Sequence, residues 1–214
     1  MYLTAEVRWF YRGTTPRAVL DWLEQRSSLP EPQPPRQDHY LWLPGNESVG
    51  IKIREGRVEV KVRLQQRGTA RFGENIVGQV ERWRKWSFPF SSPEADPGAW
   101  LTPTRSWITV HKARRLHRYH LARDGTLSQV TLERMPGTGC DFELSEVGVG
   151  QGTWWSVCFE AFGPAAGLED RLCAVAAIIL APGWPVAMEA SRSLSYPAWI
   201  DLIRTELHSS VPRR

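Results

Sequence analysis

The sequence predicts one α+β domain over residues 1–214, in which about eight antiparallel strands form a closed or strongly curved barrel with flanking helices. Three observations carry this. The stretch VGIKIREGRVEVKVR, residues 49–63, alternates apolar and charged residues in two arms around Glu55-Gly56, the period-two signature of a hairpin. Further strand-like segments recur along the chain with no fixed repeat. Helical signals are confined to its two ends.

A first strand is expected over residues 5–11. Thr15-Pro16 then reads as an N-cap and an N1 proline opening a helix to about residue 25, with Val19, Leu20, Trp22 and Leu23 as its packing stripe. LPEPQPPRQ, residues 29–37, reads as a loop within the domain. A short strand over 38–43 and the turn PGNES lead into the hairpin. A two-residue turn there places Arg54 opposite Arg57 and Lys52 opposite Glu59, so cations of both arms share a face. Residues 66–75 are polar and glycine-bearing and read as a mobile segment. VERWRKWSF, residues 80–88, reads as a strand stopped by Pro89, and residues 91–104 as a loop.

Residues 107–121 form one long strand or two, with Ile108, Val110, Lys112 and Arg114 on one face. Strands follow over 127–133, 140–147 and 154–162, and then helices over about 165–180 and 197–207.

The chain has 214 residues, 42% of them hydrophobic, enough for a sizeable core. Eleven Trp imply that several pack in that core or line a cavity. Charge is uneven: residues 1–120 carry 20 Lys and Arg against 12 Asp and Glu, and the remainder seven against eleven. The basic part suggests a phosphate-bearing partner, and the later acids suit pairing with cations or holding a metal.

Three cysteines without a C-x-x-C pair argue against a disulfide framework and for a reducing cytoplasm. No signal peptide is expected, and the apolar run over 173–181 is too short to cross a bilayer. The five histidines show no recognised zinc spacing, and no Walker-type loop or Ser-His-Asp pattern stands out.

Cations recur at strand spacing at Arg8; at Lys52, Arg54 and Lys61; at Arg82 and Arg84; and at Lys112 and Arg114. On strands curled into a barrel with these faces inward, they would line a cationic tunnel that repels itself unless an anion enters. The bland alternatives are a solvated sheet face for the hairpin cations and a simple ion pair for Glu6 with Arg8.

The ordered series of Glu6 and Arg8, DHYLWLP, IKIR with VEVK, ERWRKW, VHKAR, ELSE, FEAFG and SLSYPAWI resembles the CYTH domains, or triphosphate tunnel metalloenzymes, across nearly the whole chain. The resemblance implies an eight-stranded tunnel in which Lys and Arg hold a triphosphate while carboxylates bind Mg²⁺ or Mn²⁺ that assists attack by water. It implies phosphate-binding roles for Arg8, Lys52, Arg54, Lys61, Arg82, Lys112 and Arg114, and metal-binding roles for Glu6 and Glu160. The ligand would be inorganic tripolyphosphate or a small organic triphosphate.

Two departures bear on turnover. Thr4 and Cys158 stand where the family has the first Glu of each of its two paired-acid motifs. Glu143 and Glu133, on neighbouring expected strands, are candidates to compensate, and two inward Glu could still suffice for Mg²⁺, which usually keeps waters alongside one or two carboxylates. Two alternatives to a metal-dependent triphosphatase therefore stand beside it: a non-catalytic phosphoanion-binding module, and, ranked last, a nucleic-acid binder with Trp exposed for base stacking.

Overall fold

The computed structural model describes residues 2–25, 33–89, 106–122, 124–133, 136–181 and 183–209. Its strands are β1 (Tyr2–Arg12), β2 (Gln33–Leu41), β3 (Val49–Arg54), β4 (Arg57–Gly73), β5 (Ile76–Pro89), β6 (Trp107–Leu121), β7 (Leu127–Val130), β8 (Gly139–Val149) and β9 (Gly152–Phe162). Its helices are α1 (Arg17–Glu24), α2 (Leu168–Leu180) and α3 (Tyr196–Ser209). The strands pair in the order β2-β3-β4-β5-β1-β9-β8-β6, and β2 pairs with β6 to close the ring. All eight are antiparallel to their neighbours, and β7 lies outside on β6. The expected closed barrel of eight strands with flanking helices is therefore the fold.

The opening hairpin has the expected register, with Arg54 opposite Arg57 and Lys52 opposite Glu59. Glu55 and Gly56 both adopt positive φ, 49° and 69°, the type I′ geometry whose twist matches the flanking strands.

Two segments differ from expectation. QPPRQ belongs to β2, where the pairing with β6 shifts between Gln33 and Arg36. A bulge there accommodates Pro34 and Pro35, which offer no N–H to the ladder. Residues 66–73 continue β4 along β5 through two register shifts, between Gln66 and Gly68 and between Arg71 and Gly73. Their glycines serve those irregularities, which is why a strand reads locally as a loop. The loop expected at 91–104 falls outside the described residues, as do residues 29–32 of the proline-rich stretch.

Alternation along the strands creates two apolar regions. Outside the barrel, Val7, Trp9, Phe142 and Val157 pack with Val19 and Trp22 of α1 and Leu172 and Val175 of α2. Each such buried side chain contributes on the order of 2 kcal/mol. Gly78 of β5 admits Trp9, because a Cβ there would lie 2.3 Å from the indole; the Trp9 Nε1–H donates to the Val77 carbonyl at 2.9 Å. On the inward face, Phe10, Ile108, Val110 and Trp154 pack against Trp199, Ile200 and Ile203 of α3. This helix closes one end of the barrel, leaving a polar chamber beyond it. Among the described residues, no helix is long and apolar enough to cross a membrane.

Candidate functional site

The chamber is a cavity of about 140 Å³. Its wall holds eight cations, contributed by β1 (Arg8), β2 (Arg36), β3 (Lys52, Arg54), β4 (Lys61), β5 (Lys85) and β6 (Lys112, Arg114). Four carboxylates, Glu6, Glu59, Glu143 and Glu160, share it. Six of the seven expected basic residues and all three expected acids thus come together. Arg82 does not. Trp83 and Lys85 take the inward phase of β5, so Arg82 faces outward, where its Nε donates to Glu169 of α2 at 2.6 Å and its Nη2 to the other carboxylate oxygen. Glu133 is exposed beyond the end of β7.

The carboxylates act as hubs that let crowded cations coexist. Glu59 is 3.1 Å from Lys52, 2.7 Å from Arg54 and 3.2 Å from Lys85. Glu143 is 3.0 Å from Arg8, 2.8 Å from Lys112 and 3.5 Å from Arg114. Asp38, fully buried beside the chamber, lies 3.3 Å from both Arg36 and Lys52. Glu6 accepts from Arg8 Nε at 3.1 Å and from Lys61.

Desolvation sets the electrostatics. Burial alone would raise the Glu6 carboxyl, yet Lys61 and Arg8 outweigh it and hold it at about 2. Glu59 is likewise held at about 2 against its burial by Lys52, Lys85 and Arg54. Lys52 moves the other way: burial, helped by Arg54 and opposed by Asp38, lowers its ammonium to about 8. Burial pushes the Cys158 thiol well above its ordinary value despite Arg8, so it is a protonated, small buried residue at neutral pH.

Aromatic faces complete the wall. Tyr196, the first residue of α3, lies 4.9 Å below the Arg8 guanidinium and 5.1 Å from the Lys112 ammonium, and stacks on Tyr40. These contacts orient cations without cancelling their charge. The Tyr196 hydroxyl is buried and has no hydrogen-bond partner, an unused donor at a cationic wall.

Sequence reasoning missed Arg36, Lys85, Tyr40 and Tyr196 as chamber residues, and placed Glu59 only as the cross-strand partner of Lys52. Lys85 shares the phase of Trp83, but the alternation of VERWRKW does not by itself say that this phase points inward. Arg36 lay in a stretch read as loop, and Tyr196 reaches the chamber only through the docking of α3.

The same geometry tests the metal that the resemblance implies. A hard divalent ion needs carboxylate oxygens open on one side. Here both Glu6 oxygens accept from cations, Arg8 and Lys112 share Oε1 of Glu143 while Arg114 approaches Oε2, and Glu160 Oε1 accepts from Lys61 at 3.2 Å. Among the described residues, no three His, Cys, Asp or Glu side chains form a group that could hold a metal. As arranged, these acids do not fit a resident divalent ion.

Fold and site together define the class: a closed antiparallel barrel with a cation-rich lumen, plugged at one end by a helix. No protein-family model matches the chain, and no curated protein does. Among solved structures it is similar to a conserved hypothetical protein from Pyrococcus furiosus, at 11% identity and a TM-score of 0.41, covering 89% of this chain and 94% of that one. It is also similar to the PH1819 protein from Pyrococcus horikoshii, at 10% identity and a TM-score of 0.49, covering 95% and 99%. Likenesses this distant carry no functional argument, so the lumen is interpreted from its own residues.

Proposed function

We propose that the barrel binds the polyphosphate moiety of a small molecule, either inorganic tripolyphosphate or an organic triphosphate, in its cationic lumen. One observation carries this: eight cations face four carboxylates around one small cavity. The acids hold the cations in place, and the positive excess is left for a ligand. A polyanion relieves the remaining repulsion through charge-assisted hydrogen bonds, for which arginine forks and lysine ammoniums are suited. The resemblance to triphosphate tunnel proteins supports the same ligand class. Binding, rather than metal-assisted hydrolysis, is the reading favoured by Thr4, Cys158 and carboxylates already engaged by cations.

A nucleic-acid role finds less support. Eight cations line the lumen, Trp9, Trp83 and Trp199 are fully buried, and no Trp is among the exposed large apolar side chains of the described residues.

Tripolyphosphate is expected to raise the thermal midpoint well beyond ionic-strength-matched sulfate. Replacing Lys52 or Arg54 with Ala should weaken tripolyphosphate binding at least about tenfold in calorimetric titration, the loss of roughly one charge-assisted contact. Equal stabilisation by sulfate, or unchanged affinity in both variants, would sink the proposal.

Lys52 also sets a pH dependence. Its ammonium titrates at about 8 in the free protein, and phosphate oxygens favour the charged form. Affinity should therefore fall as pH rises through 8, by up to about tenfold between pH 7 and 9 from this group. Lys52→Met, which shares any ionisation of the ligand, should lack that component; superimposable profiles would show that Lys52 does not contact the anion.

A further inference from the structure

Glu6 of β1 and Glu160 of β9 are direct partners in the antiparallel ladder, and both project into the lumen. Two carboxylates placed this way repel unless a cation stands between them. The cation comes from another strand. Lys61 belongs to β4, separated from β1 by β5 in the barrel order, yet its ammonium donates to Glu6 Oε2 and, at 3.2 Å, to Glu160 Oε1. The Trp83 ring lies 5.5 Å from the same nitrogen, so the ammonium has an aromatic wall on one side and two carboxylates on the other.

An ammonium held between two carboxylates is a fixed positive charge at neutral pH. A divalent ion seeking these two carboxylates has to displace an ammonium that is covalently tethered and already partly buried between them. The nearby guanidinium of Arg8, on the other Glu6 oxygen at 3.1 Å, adds repulsion against an incoming cation.

We infer that Lys61 is a built-in counter-cation that occupies the place between Glu6 and Glu160 and closes it to divalent metal, so that the lumen takes its polyanion without a protein-bound metal ion. The last clause rests on the polyphosphate reading; the exclusion of metal from the Glu6–Glu160 pair does not. The carboxylate pair and the ammonium form one unit, in which removing the ammonium converts a closed pair into an open acidic site.

Electron paramagnetic resonance of Mn²⁺ with excess ligand-free protein tests the unit directly. The parent is expected to leave the free Mn²⁺ signal unchanged, whereas Lys61→Gln, with folding checked by circular dichroism, should deplete it with at least about tenfold higher affinity. Signal loss in the parent that Glu160→Gln abolishes overturns the inference, as does a folded Lys61→Gln that binds no more Mn²⁺ than the parent. The parent measurement stands whether or not the Lys61 variant folds.

Titration with tripolyphosphate in EDTA separates the two readings. Binding in EDTA supports both. Binding that requires Mn²⁺ overturns the metal-free lumen while upholding the polyphosphate site, and absence of binding under either condition overturns the polyphosphate site and leaves Lys61 to be decided by the Mn²⁺ signal.

Discussion

Glu143→Gln is expected to destabilise the ligand-free protein by about 3 to 5 kcal/mol, the cost of removing one member of a buried ionic cluster. For a chain of this size that corresponds to a fall of roughly 6 to 20 °C in thermal midpoint. Glu143 is 3.0 Å from Arg8, 2.8 Å from Lys112 and 3.5 Å from Arg114. Removing its charge leaves three cations facing one another in a space where Arg8 and Lys112 are almost completely buried. The amide preserves shape and one acceptor, so the loss reports charge. Tripolyphosphate should recover more stability in the variant than in the parent, because it supplies the missing negative charge. Differential scanning fluorimetry with and without the anion reads both effects; a midpoint within about a degree of the parent would mean that solvent already screens the three cations.

The sequence made the local devices legible because they depend on adjacent residues. Glu55-Gly56 fixes the hairpin register, and that register places Lys52 opposite Glu59. Alternation in residues 107–121 assigned Lys112 and Arg114 to the face shared with Ile108 and Val110, which lies inward. Barrel closure is different: it is made by β2 on β6, far apart in the chain, through a strand whose Pro34 and Pro35 look like loop. No short-range pattern announces such a pairing.

Arg82 illustrates a second limit. Each face of ERWRKW carries a cation and a Trp, Lys85 with Trp83 on one and Arg82 and Arg84 with Trp86 on the other, so periodicity alone cannot choose between them. The choice comes from packing: Trp83 fills the lumen wall and Glu169 of α2 takes Arg82 outside. The acids were harder still. Glu59, on a strand of cations, has the composition of a solvated face, and its place below three cations emerges only when β3, β4 and β5 stand side by side.

Acid should unfold the ligand-free barrel steeply between pH 4.5 and 2. Glu6 and Glu59 are each held at about 2 against an ordinary value of 4.5. A carboxylate depressed in the folded state contributes stability that is complete above its unfolded pKa and is lost as pH falls through the folded one. Each contributes on the order of 3 kcal/mol at neutral pH by this linkage. Asp38 and Glu143 are also lowered, against their burial, by neighbouring cations and act in the same direction. Glu81 and Asp141, raised chiefly by burial, oppose it, because the folded state binds their protons more readily. The lowered group prevails because its members are the hubs: protonating them exposes the lysines and arginines to mutual repulsion. Glu59→Gln should therefore be less stable than the parent at pH 7 yet lose less on acidification, when circular dichroism follows the midpoint from pH 7 to 3. Tripolyphosphate, still multiply charged at pH 4, should stabilise the parent more there than at pH 7, since protonated hubs leave more positive charge for it to neutralise. A midpoint flat between pH 5 and 3 would mean that these carboxylates exchange their cations for water, and the preorganised lumen would have to be abandoned.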